Sequence, residues 1–173
     1  MESFSDKVDL INRTVGAVVR WAALAMVLVQ FALVVLRYVY GVSYIYLNES
    51  VLYLHGALFM LGAGYTLLVD GHVRVDIFYA RLSARGRAAI DVFGHLFLLL
   101  PSMTVLLVYS WPSVRSSWSI LEGPISVGGI PASFLLKTLI PAFCVLLIIQ
   151  GAANLARDIG RLRSVANHDP GGA

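Results

Sequence analysis

Four apolar runs, each long enough to cross a lipid bilayer, are the feature that most constrains this 173-residue chain. A helix needs roughly 20 apolar residues to cross a hydrocarbon core of about 30 Å. The runs cover residues 16–36, 49–69, 88–109 and 132–153. Hydrophobic residues make up 58% of the chain and its mean hydropathy is +0.79, which is above the usual range of soluble domains. The sequence therefore predicts an all-α membrane protein with four transmembrane helices.

The distribution of positive charge predicts the orientation of these helices. Ten of the thirteen Lys and Arg residues lie at the starting end of the first run, between the second and third, or after the fourth. Since positive charge is retained on the cytoplasmic side, both termini and the middle loop are expected there. The ten are Lys7, Arg13, Arg20, Arg74, Arg81, Arg85, Arg87, Arg157, Arg161 and Arg163. The same placement makes membrane topology a better explanation of the basic pI than nucleic-acid binding.

Short amphipathic helices are predicted at the membrane surface in the segments outside the spans. In the middle loop, apolar residues recur with helical spacing over 75–82, and Ser83 is a candidate cap for the next helix. A second stripe covers 111–121, where Pro112 suits a first helical turn. Residues 1–15 form a third candidate. The predicted domains are thus this cytoplasmic segment, a transmembrane domain over 16–163 and a disordered cytoplasmic tail over 164–173.

Ionisable residues at membrane depth need a partner, and the sequence offers local ones. Arg20 and Asp91 lie near the cytoplasmic ends of their spans, where local ion pairs are expected; Arg87, four residues before Asp91, allows one on the same helix. Glu49 opens the second span, where the helix dipole favours an anion. Asn48 is its predicted cap and Arg37 the nearest cation in sequence. Contact with another subunit is the alternative for Glu49.

Further polar and small residues within the spans indicate how the helices pack. Three amides are expected to hydrogen-bond between helices, three glycines to allow close approach, and two prolines to kink their spans. The amides are those of Gln30, Gln150 and Asn154, the glycines are Gly56, Gly62 and Gly64, and the prolines are Pro101 and Pro141.

A haem site is the cofactor hypothesis that the histidines raise. His55 and His95 lie on neighbouring spans, as a b-type haem would require, but their depths in the bilayer differ by roughly 10 Å. Each is instead expected to hydrogen-bond at a helix interface. The chain has no metalloprotease, nucleophile-elbow or phosphate-loop motif, and His72 with Asp76 fits a solvated loop face better than a catalytic pair. No enzyme activity, cofactor or metal is predicted.

Several short motifs lie along the chain: 61–65 (LGAGY), 71–76 (GHVRVD) with the following 81–87 (RLSARGR), and later positions such as 129–131 (GIP) and 150–151 (QG). On these motifs the chain resembles the small membrane subunit of tripartite ATP-independent periplasmic (TRAP) transporters. It covers roughly residues 12–161. Members of the family often have a tryptophan before the acidic residue that opens the second span, and 45–49 (IYLNE) has none.

The resemblance implies a bacterial inner-membrane complex. In it, a periplasmic binding protein delivers an organic anion to a large permease subunit that a sodium gradient drives. The small subunit would bind neither substrate nor sodium and would brace the permease in the lipid. Glu49, His72, Arg74 and Asp76 are the candidates for ordering the subunit contact. Two alternatives stay open: a haem- or quinone-binding anchor of a redox enzyme, and a small transporter that works alone.

Overall fold

A computed structural model describes residues 4–72, 79 and 82–168, and throughout these residues the chain is helical or in turns, with no β-strand. The helices are α1 (Phe4–Val39), α2 (Ile45–Leu68), α3 (Ala84–Phe93), α4 (Leu100–Ser119) and α5 (Ser133–His168). A π-helical segment, Gly94–Leu99, joins α3 to α4. The described residues thus form four helical rods: α1, α2, the continuous helix from α3 through α4, and α5. Each is long and apolar enough to cross a membrane, which confirms the predicted fold class. In lipid, helices are favoured because they satisfy their own backbone hydrogen bonds.

The helices run beyond the apolar stretches from which the sequence located them. At 1.5 Å per residue, the 36 residues of α1 measure about 54 Å, well over the thickness of a hydrocarbon core. The predicted N-terminal amphipathic segment covers residues 1–15. Its described residues, from Phe4 onward, belong to α1, which continues past Val15 without a break. α5 likewise continues to His168, into the predicted tail. Residues 169–173 lie outside the described residues.

Backbone conformation accounts for where α1 and α2 end. Gly41, with φ of 68°, follows the end of α1. At the end of α2 the left-handed position is taken by Asp70, with φ of 58°. The N–H of Gly71 donates to the Thr66 carbonyl at 2.8 Å and the N–H of Asp70 to that of Leu67 at 3.4 Å. This is the Schellman pattern, in which asparagine or aspartate can replace the usual glycine.

The third rod contains two prolines, Pro101 in the first turn of α4 and Pro112 in its interior. Pro101 follows the π-helical segment, where the Leu100 N–H donates to the His95 carbonyl. Proline has no N–H, and such π turns accommodate interruptions of the α-helical ladder. Pro112 lies inside α4, so the predicted surface helix over 111–121 was wrong: the stripe is the last part of a transmembrane rod. Ser83 does cap α3, accepting from the Gly86 N–H at 3.2 Å, as predicted.

α5 is the central helix of the bundle. It packs against α1, α2, α3 and α4, whereas the largest other contact between rods is that of α1 with α2. Of its most apolar 18 residues, 28% are buried inside the chain, against 6% to 11% in the other three rods. Cys144, Gln150 and Ala153 of α5 are fully buried. The outer faces of the other rods are therefore left to lipid or to another protein.

The bundle has two chemically distinct ends. The terminal end contains the start of α1 and the last turns of α5, together with the end of α2 and the start of α3. The loop end contains the connections 40–44 and 120–132. Most of the middle connection, residues 73–78, 80 and 81, lies outside the described residues, and so does most of the surface helix predicted over 75–82.

Candidate functional site

A buried carboxylate holds the 120–132 connection at the loop end. Glu49, in the second turn of α2, is only 7% exposed. Its Oε1 accepts the Ser126 N–H at 2.9 Å and its Oε2 accepts the Ile130 N–H at 2.7 Å. We call Glu49 with these two amides the loop clamp. Because hydrogen bonds to an ionised acceptor are roughly twice as strong as neutral ones, two of them stabilise the connection substantially.

The loop clamp depends on a glycine that passes directly over the carboxylate. A Cβ at Gly129 would lie 2.2 Å from both Glu49 oxygens, so no other residue fits without displacing the side chain. The predicted roles of the neighbours were wrong. Asn48 is not a cap, since α2 begins at Ile45 and the Asn48 amide donates to the Tyr44 carbonyl at 3.1 Å. The carboxylate is satisfied by backbone amides rather than by Arg37, which is exposed.

A second set of contacts ties the same connection to the start of α5. Lys137 Nζ donates to Glu122 at 2.6 Å, and the Ser117 hydroxyl donates to the same carboxylate. The bond from Lys137, followed by that from Ser117, lowers the pKa of Glu122 below its ordinary value. Trp118 Nε1 donates to Thr138 Oγ1 at 2.8 Å. The long connection is thus fixed to both α2 and α5.

A network of polar side chains joins α1, α2 and α5 at the terminal end. Gln150 and Asn12, both fully buried, are linked by a bond from Asn12 Nδ2 to Gln150 Oε1 at 2.8 Å. Asp9 Oδ1 accepts from Gln150 Nε2 at 3.1 Å and from Arg157 at 2.5 Å. Asn154 receives a bond from Gln150 and donates to the Leu67 carbonyl at 3.5 Å. We call Asp9, Asn12, Gln150, Asn154 and Arg157 the terminal network.

The glycines and amides of the spans show which packing predictions hold. Gln150 and Asn154 do bond between helices, whereas Gln30 is exposed. A Cβ at Gly64 would lie 2.1 Å from Asn12 Oδ1. Only glycine therefore leaves room for the Asn12 side chain, which confirms the predicted close approach at this position. Gly56 packs on two leucines of α5 in the same way. Gly62 was predicted wrongly, since a Cβ there would meet nothing within 4 Å.

His95 and the two aspartates near it form a third polar group, between α3, the π segment and α5. His95 Nδ1 lies 2.8 Å from the Asp91 carbonyl oxygen and 3.5 Å from Asp158 Oδ2. Asp91 accepts from the Tyr79 hydroxyl at 2.6 Å. The predicted pair of Arg87 with Asp91 is not formed: Arg87 Nε donates to the Leu82 carbonyl at 3.1 Å, and its guanidinium lies over the Tyr79 ring.

The remaining candidates from the sequence are dispersed. His55 is exposed and stacks on Phe59 of its own helix, so its predicted interhelical bond is absent, while that of His95 is present. Arg20 is exposed and lies over the Trp21 ring, with no carboxylate partner among the described residues. His72 is exposed at the terminal end. Arg74 and Asp76 lie outside the described residues.

Several residues of these clusters were not foreseen as site residues: Asp9, Asn12, Glu122 and Asp158. One sequence signal pointed toward them. Gln150, Asn154 and Arg157 are spaced i, i+4 and i+7, so they form a polar stripe on one helix face, which must meet polar groups elsewhere.

The polar groups at both ends of the bundle stabilise the packing of its helices. The charged and amide groups of the loop clamp and the terminal network bond to other parts of the same chain. Among the described residues, no group of three or more His, Cys, Asp or Glu side chains is placed to hold a metal ion. The candidate site therefore consists of the loop clamp and the terminal network, which together fix the relative positions of the transmembrane helices.

Comparison with known proteins agrees with this architecture. The fold defines a multi-pass membrane protein of four helical rods, stabilised by polar contacts at their ends. The sequence model of the family described as tripartite ATP-independent periplasmic transporters, DctQ component, matches residues 26–161. No curated protein and no solved structure matches the chain. Since the match covers well over half of its length, the chain belongs to this family, and it is the small subunit of a TRAP transporter.

Proposed function

We propose that this chain braces the large permease subunit of a TRAP transporter in a bacterial inner membrane. The complex takes up an organic carboxylate, which a periplasmic binding protein delivers, and a sodium gradient drives the uptake. The small subunit carries neither the substrate site nor the sodium site. Family membership supports the assignment to such a complex, and the distribution of burial and charge in the bundle supports the bracing role.

The observation that carries the bracing role is how little of the apolar surface is buried. Three of the four rods bury only 6% to 11% of their most apolar segments within the chain. Large side chains such as Phe31, Phe59 and Phe97 are 61% to 70% exposed along these rods. Apolar surface of this kind suits lipid, and because the helices are held in fixed positions, part of it can also pack closely against the helices of a second membrane protein.

The central helix supports placing the translocation path in the partner. Between Thr138 and Gln150, α5 contains no charged residue. A path for a carboxylate and sodium needs polar groups at the bilayer centre, where they are costly and therefore functional. The described charged clusters lie instead at the two ends of the bundle.

The orientation proposed for this subunit has both termini and the middle loop in the cytoplasm. It follows from the ten Lys and Arg residues on that side. The loop clamp then faces the periplasm, where it fixes the surface of the connection 120–132 for contact with the partners. Glu49 contributes indirectly, by shaping this connection, while His72, Arg74 and Asp76 order the cytoplasmic contact. Arg20 and Asp91 lie at the same end.

Co-expression with a candidate large permease tests the proposed partnership. The two chains should copurify in mild detergent, and Arg74→Ala or Asp76→Ala should lower the yield of the complex. Arg163→Ala is the matched control, because it removes an exposed cation at the terminal end without touching the middle loop. Normal complex yield together with altered substrate preference would contradict the assigned roles of Arg74 and Asp76. Failure of the native chains to associate would contradict the partnership itself.

A further inference from the structure

A groove of about 830 Å³ lies between α1 and α2 near the terminal end, with α5 as its floor. Its volume is in the range of small-molecule sites. Phe143 and Leu147 line the floor, while Phe59 and Gly62 line the wall toward the bilayer centre. The groove is predominantly apolar, so it suits a hydrocarbon chain.

The mouth of the groove carries positive charge, and none of its described lining residues is acidic. Arg13, Gly16, Ala17 and Arg20 are spaced i, i+3, i+4 and i+7, so they share one face of α1, and all four line the groove. His72 lines it from the end of α2. No Asp or Glu is among the described lining residues. Within the described part of the chain, neither Arg13 nor Arg20 forms an ion pair.

A smaller, polar cavity at the same end differs from the groove in its charge balance. It measures about 190 Å³ and is lined by Asp91 and Asp158 as well as by Arg157 and Arg161. Its charges are compensated within the chain, as expected where polar groups serve only cohesion. Among residues 4–72, 79 and 82–168, no carboxylate compensates the two arginines of the larger groove, so their charge is available to a ligand.

The apolar part of the groove is open along α2. A Cβ at Gly62 would meet nothing within 4 Å, and the Phe59 side chain is 70% exposed. From Phe59 to Thr66 the wall extends about 10 Å along the helix axis, and Arg13 and Arg20 are separated by about the same distance along α1. A ligand here would therefore combine an anionic head near the arginines with an apolar tail running toward the bilayer centre.

We propose that this groove binds one anionic glycerophospholipid from the leaflet next to the terminal end. Its phosphate is held by Arg13 and Arg20, with His72 as a further hydrogen-bonding group, and an acyl chain lies over Gly62 against Phe59. Arginine favours phosphate because its planar guanidinium can donate two hydrogen bonds at once. Basic pockets between transmembrane helices are known binding places for anionic headgroups. The inference requires that the chain lies in a membrane, but it does not require the proposed bracing role.

Native mass spectrometry of the purified full chain tests the charge requirement, with phosphatidylglycerol and phosphatidylcholine as the added lipids. The native chain should bind phosphatidylglycerol preferentially. Each arginine near an anionic headgroup contributes on the order of a five-fold change, so the double variant Arg13→Gln/Arg20→Gln should bind about 25-fold more weakly. The double variant Arg85→Gln/Arg163→Gln changes net charge equally outside the groove and should bind like the native chain. Equal affinity for both lipids, or equal loss in both double variants, would overturn the proposal.

A second pair of variants tests the acyl chain without changing charge. Gly62→Leu fills the open wall and should reduce phosphatidylglycerol binding several-fold. Gly160→Leu is the matched control, because a Cβ at this position also meets nothing within 4 Å and lies outside the groove. Identical binding by the two variants would overturn the proposal. So would an assembled transporter complex whose small subunit carries no phospholipid in the groove while a permease helix crosslinks to Ala63→Cys, because a protein would then be the occupant.

Discussion

Replacing Glu49 with glutamine is the change most informative about the loop clamp. The substitution keeps the size of the side chain and one carbonyl oxygen, but it turns the other acceptor into an NH₂ donor. One of the two amides, that of Ser126 or Ile130, then faces a donor. The lost bond is to an ionised acceptor and is worth about 1.5–3 kcal/mol. The connection 120–132 should be destabilised by that amount.

Hydrogen exchange at the two amides measures this loss locally. Because 1.4 kcal/mol corresponds to a factor of ten in an equilibrium constant, exchange at Ser126 and Ile130 should become about ten- to a hundred-fold faster in Glu49→Gln. Amides within α1 should be unchanged. The assay uses the full chain in detergent or nanodiscs, with mass-spectrometric readout of peptides from residues 120–132.

Gly129→Ala supplies an independent test of the same clamp, since its Cβ would lie 2.2 Å from the carboxylate oxygens. It should accelerate exchange to a similar degree, and combining it with Glu49→Gln should add little because both changes break the same contact. Gly123→Ala is the control in the same connection, since a Cβ there meets nothing within 4 Å. Unchanged exchange in Glu49→Gln, or equal effects of Gly123→Ala and Gly129→Ala, would show that the loop clamp does not hold the connection 120–132.

Three further predictions concern the terminal network, the loop end and the orientation. Gly64→Ala should destabilise the bundle by about 2 kcal/mol, because it displaces buried Asn12, whereas Gly62→Ala should not; thermal unfolding in detergent checks this, and a harmless Gly64→Ala would contradict the contact. The folded-state pKa of Glu122 is lowered, so its stabilisation of the loop end is complete above its ordinary pKa of about 4.3 and is lost as pH falls through the lower folded value. The fluorescence of Trp118, which lies at the loop end, should report this loss of stability as pH falls. Lys137→Met should weaken the pH dependence, and an unchanged fluorescence profile would show that the Lys137–Glu122 pair does not cause it. Green fluorescent protein should fluoresce when fused to either terminus, and a dark but translocated fusion would contradict the orientation.

The sequence predicts the membrane fold well because hydropathy over 20 residues reports directly on the lipid environment. It predicts helix ends poorly, since a helix does not stop where its apolar run stops: α1 begins at Phe4, twelve residues before the predicted span. Pro112 shows the same limit. Local rules place proline at a helix start, yet packing of the surrounding rod tolerates it within α4.

The candidate sites depend on contacts between distant parts of the chain, which local patterns do not specify. Glu49 was recognised as an important acid, but its true partners lie 77 and 81 residues away. Asn12 meets Gln150 across 138 residues, and only the polar stripe on α5 hinted that such a partner was needed. Arg87 and Asp91 have the helical spacing of an ion pair, but Arg87 instead donates to the Leu82 carbonyl and lies over the Tyr79 ring.

Sodium-driven uptake in proteoliposomes tests whether this chain is a required subunit of a sodium-coupled transporter. The purified binding protein, loaded with its organic carboxylate, is added to liposomes that contain the candidate large permease with or without this chain. Uptake should need both membrane subunits and an inward sodium gradient. Full uptake by the permease without this chain, or uptake by this chain in the permease's absence, would show that the proposed function is wrong.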